Sequence, residues 1–286
     1  MTILLAGCGD LGTEAGLRFA AAGHRVVGWR RSPSKLPPEI EGAAADLSSP
    51  DLPPVPADTT AVVIAVAADS PTEAAYRAAY VDGPAHVLDA LERDGVTPRR
   101  VLFVSSTAVY GDAGGGWVDE STTAAPGGFS GQTLLEAERL LADRLSGTSS
   151  TVVALRLGGI YGPGRTRLID QVRTGAAIIP AVPRYTNRIH RDDAAGAIVR
   201  LCTMEDDPSP VYLGVDNDPA ELGDVLRFLA AELGLGVPPS GDAGDARGGN
   251  KRCSNALLRS TGYSFRYPTF REGYRDILTG VGVRHP

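Results

Sequence analysis

The sequence predicts an α/β fold organised around a doubly wound parallel sheet. Three observations carry that expectation. Short apolar runs alternate with helix-forming segments through residues 2–164, the βαβαβ order of a parallel sheet. The first run, TILLAG (2–7), is continuously apolar, as suits a strand covered on both faces. A glycine-rich turn, Gly7-Cys8-Gly9-Asp10-Leu11-Gly12, follows that run directly and opens a helical segment.

Each element has its own justification. LGTEAGLRFAAAG (11–23) has helix-forming composition and stops at Gly23, a C-terminal cap. HRVVGW (24–29) is the second strand, and GAAADLSS (42–49) holds a short third strand with Asp46 at its end. The proline-rich LPPVPAD (52–58) is a loop leading into the fourth strand, AVVIAVAA (61–68). AAYRAAYVDGPAHVLDALERDG (74–95) reads as one long helix that tolerates Gly83 and Pro84 at some cost. RRVLFVSST (99–107) is a fifth strand ending in hydroxyls. LLEAERLLADRL (134–145) places apolar residues at 134, 137, 141 and 145, one helical face. TVVALRLGGIYGPG (151–164) is a strand running into a glycine-rich loop.

The last third is less regular. RDDAAGAIVRLCTM (191–204) is a helix with Asp192 or Asp193 as N-cap. SPVYLGVD (209–216) is a strand, and AELGDVLRFLAAELGL (220–235) is an amphipathic helix. PPSGDAGDARGGNKR (238–252) is a flexible loop by composition. SNALLRSTG (254–262) is a short helix capped by Ser254 or Asn255. The chain has no internal repeat. The expected organisation is a nucleotide-binding Rossmann-type domain over 1–163, completed by 187–216. A smaller C-terminal α/β substrate lobe takes 164–186 and 217–286.

Composition removes several function classes. The chain has 286 residues, 43% hydrophobic and 22% charged, with a net charge of −6. A pI near 5.3 leaves no basic footprint for nucleic acid. Cys8, Cys202 and Cys253 are far apart and form no CxxC, so neither a metal site nor a disulfide framework is expected. A reducing cytoplasm is the simplest setting. The N-terminus has no charged n-region or long h-region, so it does not read as a signal peptide. No run approaches the ~20 apolar residues of a membrane span.

The glycine turn carries the clearest chemistry. Gly7 permits a tight turn, Gly9 lets backbone approach a pyrophosphate, and Gly12 lets helix and strand pack closely. The N-terminus of the following helix favours the phosphate charge, with Asp10 and Leu11 in its first turn. A dinucleotide site that prefers NAD has an acid about 20 residues further on. Arg30, Arg31 and Ser32 stand there instead, a set suited to a 2′-phosphate. NADP is therefore favoured over NAD, the alternative being a solvated basic turn.

GCGDLG, Asp46-Leu47, VSSTAVYGD (104–112), LRLGGIYGPG (155–164) and NRIHRDD (187–193) stand in the order of an extended or atypical short-chain dehydrogenase/reductase. The chain resembles the NAD-dependent epimerase/dehydratase members, similar to nucleoside-diphosphate-sugar epimerases, over nearly its whole length. GNKRCSNALLRSTGY (249–263) resembles the tail of the atypical subgroup. The resemblance implies that Asp46 and Leu47 sit near adenine. It also implies that Val66, Ala67 and Ala68 line the ribose side, and that Leu157, Gly158, Gly159 and Ile160 pass the nicotinamide.

The family pattern also has a Tyr-x-x-x-Lys pair, and here the sequence departs from it. Counting from Glu138, the Tyr position falls on Ser130 and the Lys position on Leu134. A slip of one residue gives Phe129 and Thr133, which restores neither. The hydroxyl position is kept by Ser106, with Ser105 and Thr107 beside it. Proton transfer needs a group within hydrogen-bond reach, and Ser130 is a weaker and shorter acid than a phenol.

Candidate catalytic residues are therefore Ser106, Thr107, Tyr110 and Ser130. Tyr80 falls where extended members carry Asn, one helical turn after Tyr76, and is read as a substrate-side residue or as core. Tyr161 stands in GIYGPGR, beside the expected nicotinamide. His190 titrates in a useful range, against a structural role positioning the C-terminal lobe. Arg165, Arg167, Asn187 and Arg188 flank the expected cleft, with Lys251 and Arg252 able to reach in. Arginines suit a phosphate or carboxylate, so the substrate is expected to be a small, anionic metabolite, against a merely solvated rim. Three functional readings stand: an NADP-binding oxidoreductase with another proton donor, a non-redox epimerase, dehydratase or cyclase, and a non-catalytic NADP-binding protein. A homodimer is expected by analogy with the fold alone.

Overall fold

The computed structural model describes residues 1–242, 244 and 249–286; positions 243 and 245–248, within the loop expected over 238–252, lie outside the described residues. Seven strands form the main sheet: β1 (Thr2–Ala6), β2 (Arg25–Arg30), β3 (Glu41–Ala44), β4 (Thr59–Ile64), β5 (Arg100–Ser106), β6 (Thr151–Leu157) and β7 (Val211–Gly214). Their order is β7-β6-β5-β4-β1-β2-β3, and every pairing is parallel. This is the expected Rossmann-type sheet. The winding reverses between β1 and β4, which opens a crevice at the C-terminal ends of those strands.

The side-chain period of two explains how one apolar run serves two cores. Leu4 and Ala6 of β1 face a layer containing Val87, Leu88 and Leu91 of α3 (Gly83–Arg93) and Ala137 and Leu141 of α4 (Phe129–Arg144). Ile3 and Leu5 face the other layer, with Ala15 and Phe19 of α1 (Asp10–Ala21) and Ile198 and Leu201 of α6 (Arg191–Thr203). All of β1 is buried, whereas the edge strand β3 is mostly exposed. A third apolar cluster joins α5 (Arg167–Arg173), α7 (Leu222–Glu232) and α9 (Phe270–Leu278) through Ile169, Val172, Val225, Leu229 and Phe270.

Several elements differ from the sequence expectation. The long helix of 74–95 is α2 (Glu73–Arg77), a π turn over Ala78–Asp82, and then α3. Pro84 has no N–H to give the carbonyl four residues back, that of Tyr80, so the helix widens there. The N-cap of α6 is neither Asp192 nor Asp193. His190 caps it, its Nδ1 accepting from the Asp192 N–H at 3.1 Å. Asp193 instead accepts from the N–H groups of Arg266 (2.7 Å) and Tyr267 (2.9 Å) and from the Tyr263 hydroxyl, tying the C-terminal segment to α6. Asn255 precedes α8 (Ala256–Ser260), but its side chain donates to Val215 and Asn217 rather than capping. Asp46 lies two residues beyond β3, and α4 begins at Phe129, five residues earlier than expected. The sequence reading omitted α9 altogether. Its start was legible, because Thr269 and Glu272 form a reciprocal capping box of about 1 kcal/mol.

Candidate nucleotide and substrate site

The glycine loop has the geometry that each glycine's position requires. Gly7 has φ +89°, and a Cβ there would meet the Ala65 carbonyl oxygen at 2.7 Å. A Cβ on Gly12 would meet the Gly7 carbonyl oxygen at 2.9 Å. Gly9 differs: a Cβ there would have no atom within 4 Å. Two glycines are thus demanded by the protein's own packing, and Gly9 leaves space over the first turn of α1. The first N–H groups of that turn have no intrahelical acceptor, and together they fit a pyrophosphate.

Asp10 places a carboxylate in this anion-binding turn, and the fold neutralises it. Its oxygens accept from Arg165 Nε at 2.9 Å, Arg191 Nη1 at 2.9 Å and the His285 N–H at 3.2 Å. Burial alone would raise its pKa; the hydrogen bond from Arg165 and the charges of Arg165 and Arg191 outweigh it and hold the carboxyl below its ordinary value. His285 Nε2 also pairs with Glu14 at 2.9 Å, and Arg191 Nη1 donates to the Val283 carbonyl. The C-terminal tail therefore crosses beside the glycine loop and is held there.

At the end of β2, Arg31 makes a two-pronged pair with Asp69 at 2.8 and 2.9 Å. Both partners are exposed. Arg30 holds one guanidinium nitrogen buried without a partner among the described residues. A phosphate beside these groups would compete with Asp69 for Arg31. Asp46 is exposed and accepts from the Ser48 N–H and hydroxyl, which hold its carboxyl below the ordinary range.

A cavity of about 1240 Å³ opens beyond the C-terminal ends of the central strands. It collects Ser106, Thr107, Tyr110, Ser130 and Tyr80 from the sequence-predicted set, together with Tyr76 and Leu134. Gly158, Gly159, Ile160, Tyr161, Arg165, Asn187 and Arg188 reach its other walls. The glycine loop is not part of this lining. The cavity volume exceeds the ~300–1,000 Å³ of a typical small-ligand pocket.

Local bonding separates the candidates. Ser106 Oγ accepts from the Ala108 N–H at 3.2 Å and caps the short turn 107–109. Tyr110 is buried, and its hydroxyl accepts from Arg156 at 2.7 Å. Arg156 in turn makes two bonds to Glu138, at 3.0 and 2.6 Å, and Ser105 Oγ donates to the same carboxylate at 2.5 Å. Tyr110 is therefore committed to a buried ionic network under the cavity floor. His190 is fully buried, caps α6 and does not line the cavity. Burial pushes its imidazole down to about 4, so it is neutral near pH 7 and suited to accept the N–H it caps.

Tyr161 stacks on Tyr274 of α9 at 4.5 Å and meets His190 edge-on at 5.3 Å. Burial raises its pKa, and its hydroxyl has no partner among the described residues. Asn187 donates to the Lys251 carbonyl at 3.0 Å and accepts from the Cys253 N–H at 2.7 Å, so it fastens the C-terminal segment. Arg188 Nη2 donates to the Thr186 hydroxyl at 2.5 Å, while Nη1 is buried and unpartnered among the described residues. Lys251 does reach the cavity wall, its Nζ donating to the Tyr110 carbonyl at 3.0 Å. Arg252 turns away, to the Gly115 carbonyl and the rings of Trp117 and Tyr185.

The sequence reading missed Asp216 and Tyr274. Asp216 follows β7, is buried, and burial drives its carboxyl up to about 8. One of its oxygens has no partner among the described residues. It lay in an ordinary strand end, with no motif to single it out. Tyr274 was lost with α9. Among the described residues no helix is long and apolar enough to cross a membrane. No group of three or more His, Cys, Asp or Glu side chains there is placed to hold a metal ion.

Sheet order, glycine loop and cleft together define a dinucleotide-binding Rossmann protein. The chain belongs to the NAD dependent epimerase/dehydratase family, whose pattern matches residues 3–213. It is 32% identical over 169 residues to Protein YeeZ of Escherichia coli K12, and the match spans 59% of each chain. A solved structure from Methylobacillus flagellatus, provisionally assigned as an NAD-dependent epimerase/dehydratase, is 39% identical. It covers 98% of both chains with a TM-score of 0.79. The human epimerase family protein SDR39U1, solved with NADPH, is 18% identical over 98% of this chain and all of that one. Its TM-score is 0.82, and the likeness is one of fold.

Proposed function

We propose that the chain is an NADP-binding oxidoreductase acting on a small anionic metabolite. One observation carries the reading: the large cavity beyond the C-terminal ends of β5 and β6 has a cationic far wall and lies at the same edge of the parallel sheet as the open Gly9. Arg188 donates to a hydroxyl and Arg184 to the Gly244 carbonyl. The charge of Arg188 also acts on the buried Asp216 carboxyl. Such guanidinium groups suit a carboxylate or phosphate. The third apolar cluster supports treating 164–186 and 217–286 as the lobe that carries this wall.

In this reading the glycine loop and α1 N-terminus hold the pyrophosphate, and Arg30, Arg31 and Ser32 hold the 2′-phosphate. The nicotinamide supplies hydride when bound. Ser106 and Thr107 orient the reacting oxygen of the substrate, and Arg188 fixes its anionic end. NADPH accompanies the human fold relative, and NAD stands in the family's own description. The Arg31 position favours the phosphorylated form here.

Titration with NADPH and NADH tests the first half. NADPH is expected to bind at least about tenfold tighter, and Arg31→Ala to narrow that gap, since an exposed charge-assisted contact is worth about 1 kcal/mol or more. Equal affinities would remove the NADP assignment. A screen of NADPH oxidation with 2-oxo acids, phosphorylated aldehydes and neutral carbonyls tests the second half; preference for neutral carbonyls would remove the anionic one. Leu134 and Ser130 at the usual Lys and Tyr positions favour a second reading, a non-catalytic NADP-binding protein. Turnover of any carbonyl in that screen excludes it.

A further inference from the structure

The first turn of α4 carries no phenol, but the facing wall of the same cavity does. Tyr76 and Tyr80 lie there with ring centroids 5.3 Å apart. Tyr76 in turn meets Phe129, at the start of α4, edge-on at 5.3 Å. The aromatic row thus runs from Tyr80 to the turn where the family's Tyr would stand. Resting on the oxidoreductase reading above, we propose that Tyr80 is the proton-transfer residue of this site, its phenol serving the substrate oxygen in place of the missing Tyr.

Three independent features carry this. Tyr80 sits at the middle of the π turn over Ala78–Asp82. Such turns depart from regular helix and recur at functional sites; here Pro84 imposes it. The Tyr80 phenol feels the Ala68 backbone N–H, which lies beyond β4 on the expected ribose side of the cleft. Finally, Tyr80 shares one cavity with Ser106, Thr107 and Ser130.

The electrostatic setting assigns the direction. Burial raises the Tyr80 pKa, the nearby Tyr76 phenol adds to this, and the Ala68 N–H opposes it. Tyr76 packs beside Tyr80, and Ser130, Ser106 and Thr107 share its cavity, whose walls also carry the charged Asp112, Arg165, Arg188 and Lys251. Tyr76 and the three hydroxyls are uncharged near neutrality, and burial holds the Tyr80 phenol above its ordinary value. The phenol is therefore protonated and is an acid in the reducing direction. The carbonyl carbon takes hydride from NADPH, and the carbonyl oxygen takes the proton of Tyr80. The products are an alcohol, NADP⁺ and a Tyr80 phenolate, which recovers its proton from water. In reverse, the cationic nicotinamide of NADP⁺ favours the phenolate that accepts the alcohol proton.

The test is a pH titration of the NADP⁺ and NADPH complexes, read by the near-ultraviolet absorbance of tyrosinate. One phenol in the NADP⁺ complex is expected to ionise about one pH unit or more lower than in the NADPH complex. Tyr80→Phe should abolish that component while retaining nucleotide binding. Its ring keeps the contact with Tyr76, and a thermal melt confirms the fold. Carbonyl reduction by Tyr80→Phe should fall about a hundredfold or more. If the chain binds neither nucleotide, the oxidoreductase reading and this one fall together. If it binds both but no phenol responds, or the response survives in Tyr80→Phe, Tyr80 is overturned and the nucleotide reading stands.

Discussion

The two walls of the cleft use different parts of the chain. The glycine loop offers backbone: a left-handed Gly7, an open Gly9 and a helix start. The first turn of α4 offers side chains, among them Ser130 and Leu134 on the cavity wall. Backbone recognition depends on local conformation and leaves little room for substitution. Side-chain chemistry can be moved to a neighbouring element that reaches the same space. One helical turn beyond Leu134, Glu138 anchors Ser105 and Arg156, and Arg156 in turn bonds Tyr110. The helix makes these structural contacts whatever group transfers the proton.

The largest expected effect lies on that retained side. Glu138→Ala leaves the buried Arg156 uncompensated, which costs about 3–5 kcal/mol; urea unfolding measures it. A loss under 1 kcal/mol would show that the network is not what holds α4 against β5 and β6. Next comes the contrast within the loop. Gly7→Ala strains a left-handed backbone at about 1–3 kcal/mol and drives its Cβ into a carbonyl. Gly9→Val points into open space, so its stability should stay within about 0.5 kcal/mol of the parent. NADPH affinity should nonetheless fall by about a hundredfold, equivalent to ~2.7 kcal/mol. Thermal melts and calorimetry on both variants would break the distinction if Gly9→Val were as unstable as Gly7→Ala.

A third effect concerns Asp216, where burial outweighs the nearby charge of Arg188 and the Asp218 N–H. Its folded pKa of about 8 lies above the ordinary 3.8. The folded state therefore holds this proton more tightly than the unfolded chain. The associated stability is complete below about pH 3.8 and is lost as pH rises through about 8. Asp216→Asn should raise the melting temperature relative to the parent at pH 9 more than at pH 5. An equal offset at both values would place the proton elsewhere. The smallest effect is Arg31→Ala, whose exposed pair with Asp69 should change stability by less than ~1 kcal/mol. Its consequence is expected in nucleotide choice.

Much of this was legible from sequence because it rests on patterns with a physical period or a forced conformation. The parallel sheet followed from uninterrupted apolar runs, and the glycine loop from strand, turn and helix in register. What escaped depended on tertiary bonding. Asp192 and Asp193 had the composition of caps, but His190 precedes the helix and Asp193 is taken by the backbone of residues 266 and 267. Tyr110 looked available until Arg156 arrived from β6. The π turn at Tyr80 was implied by Pro84, but a missing N–H does not say from sequence alone whether a helix kinks, stops or widens. The division of the cavity wall among Arg184, Arg188 and Lys251 required two distant segments to converge.

The held tail has a consequence for how the protein is made. Asp10 is made 275 residues before His285, whose N–H its carboxylate accepts. Until synthesis reaches that residue, the nascent glycine loop has its strand and helix but lacks one of the groups that balance Asp10.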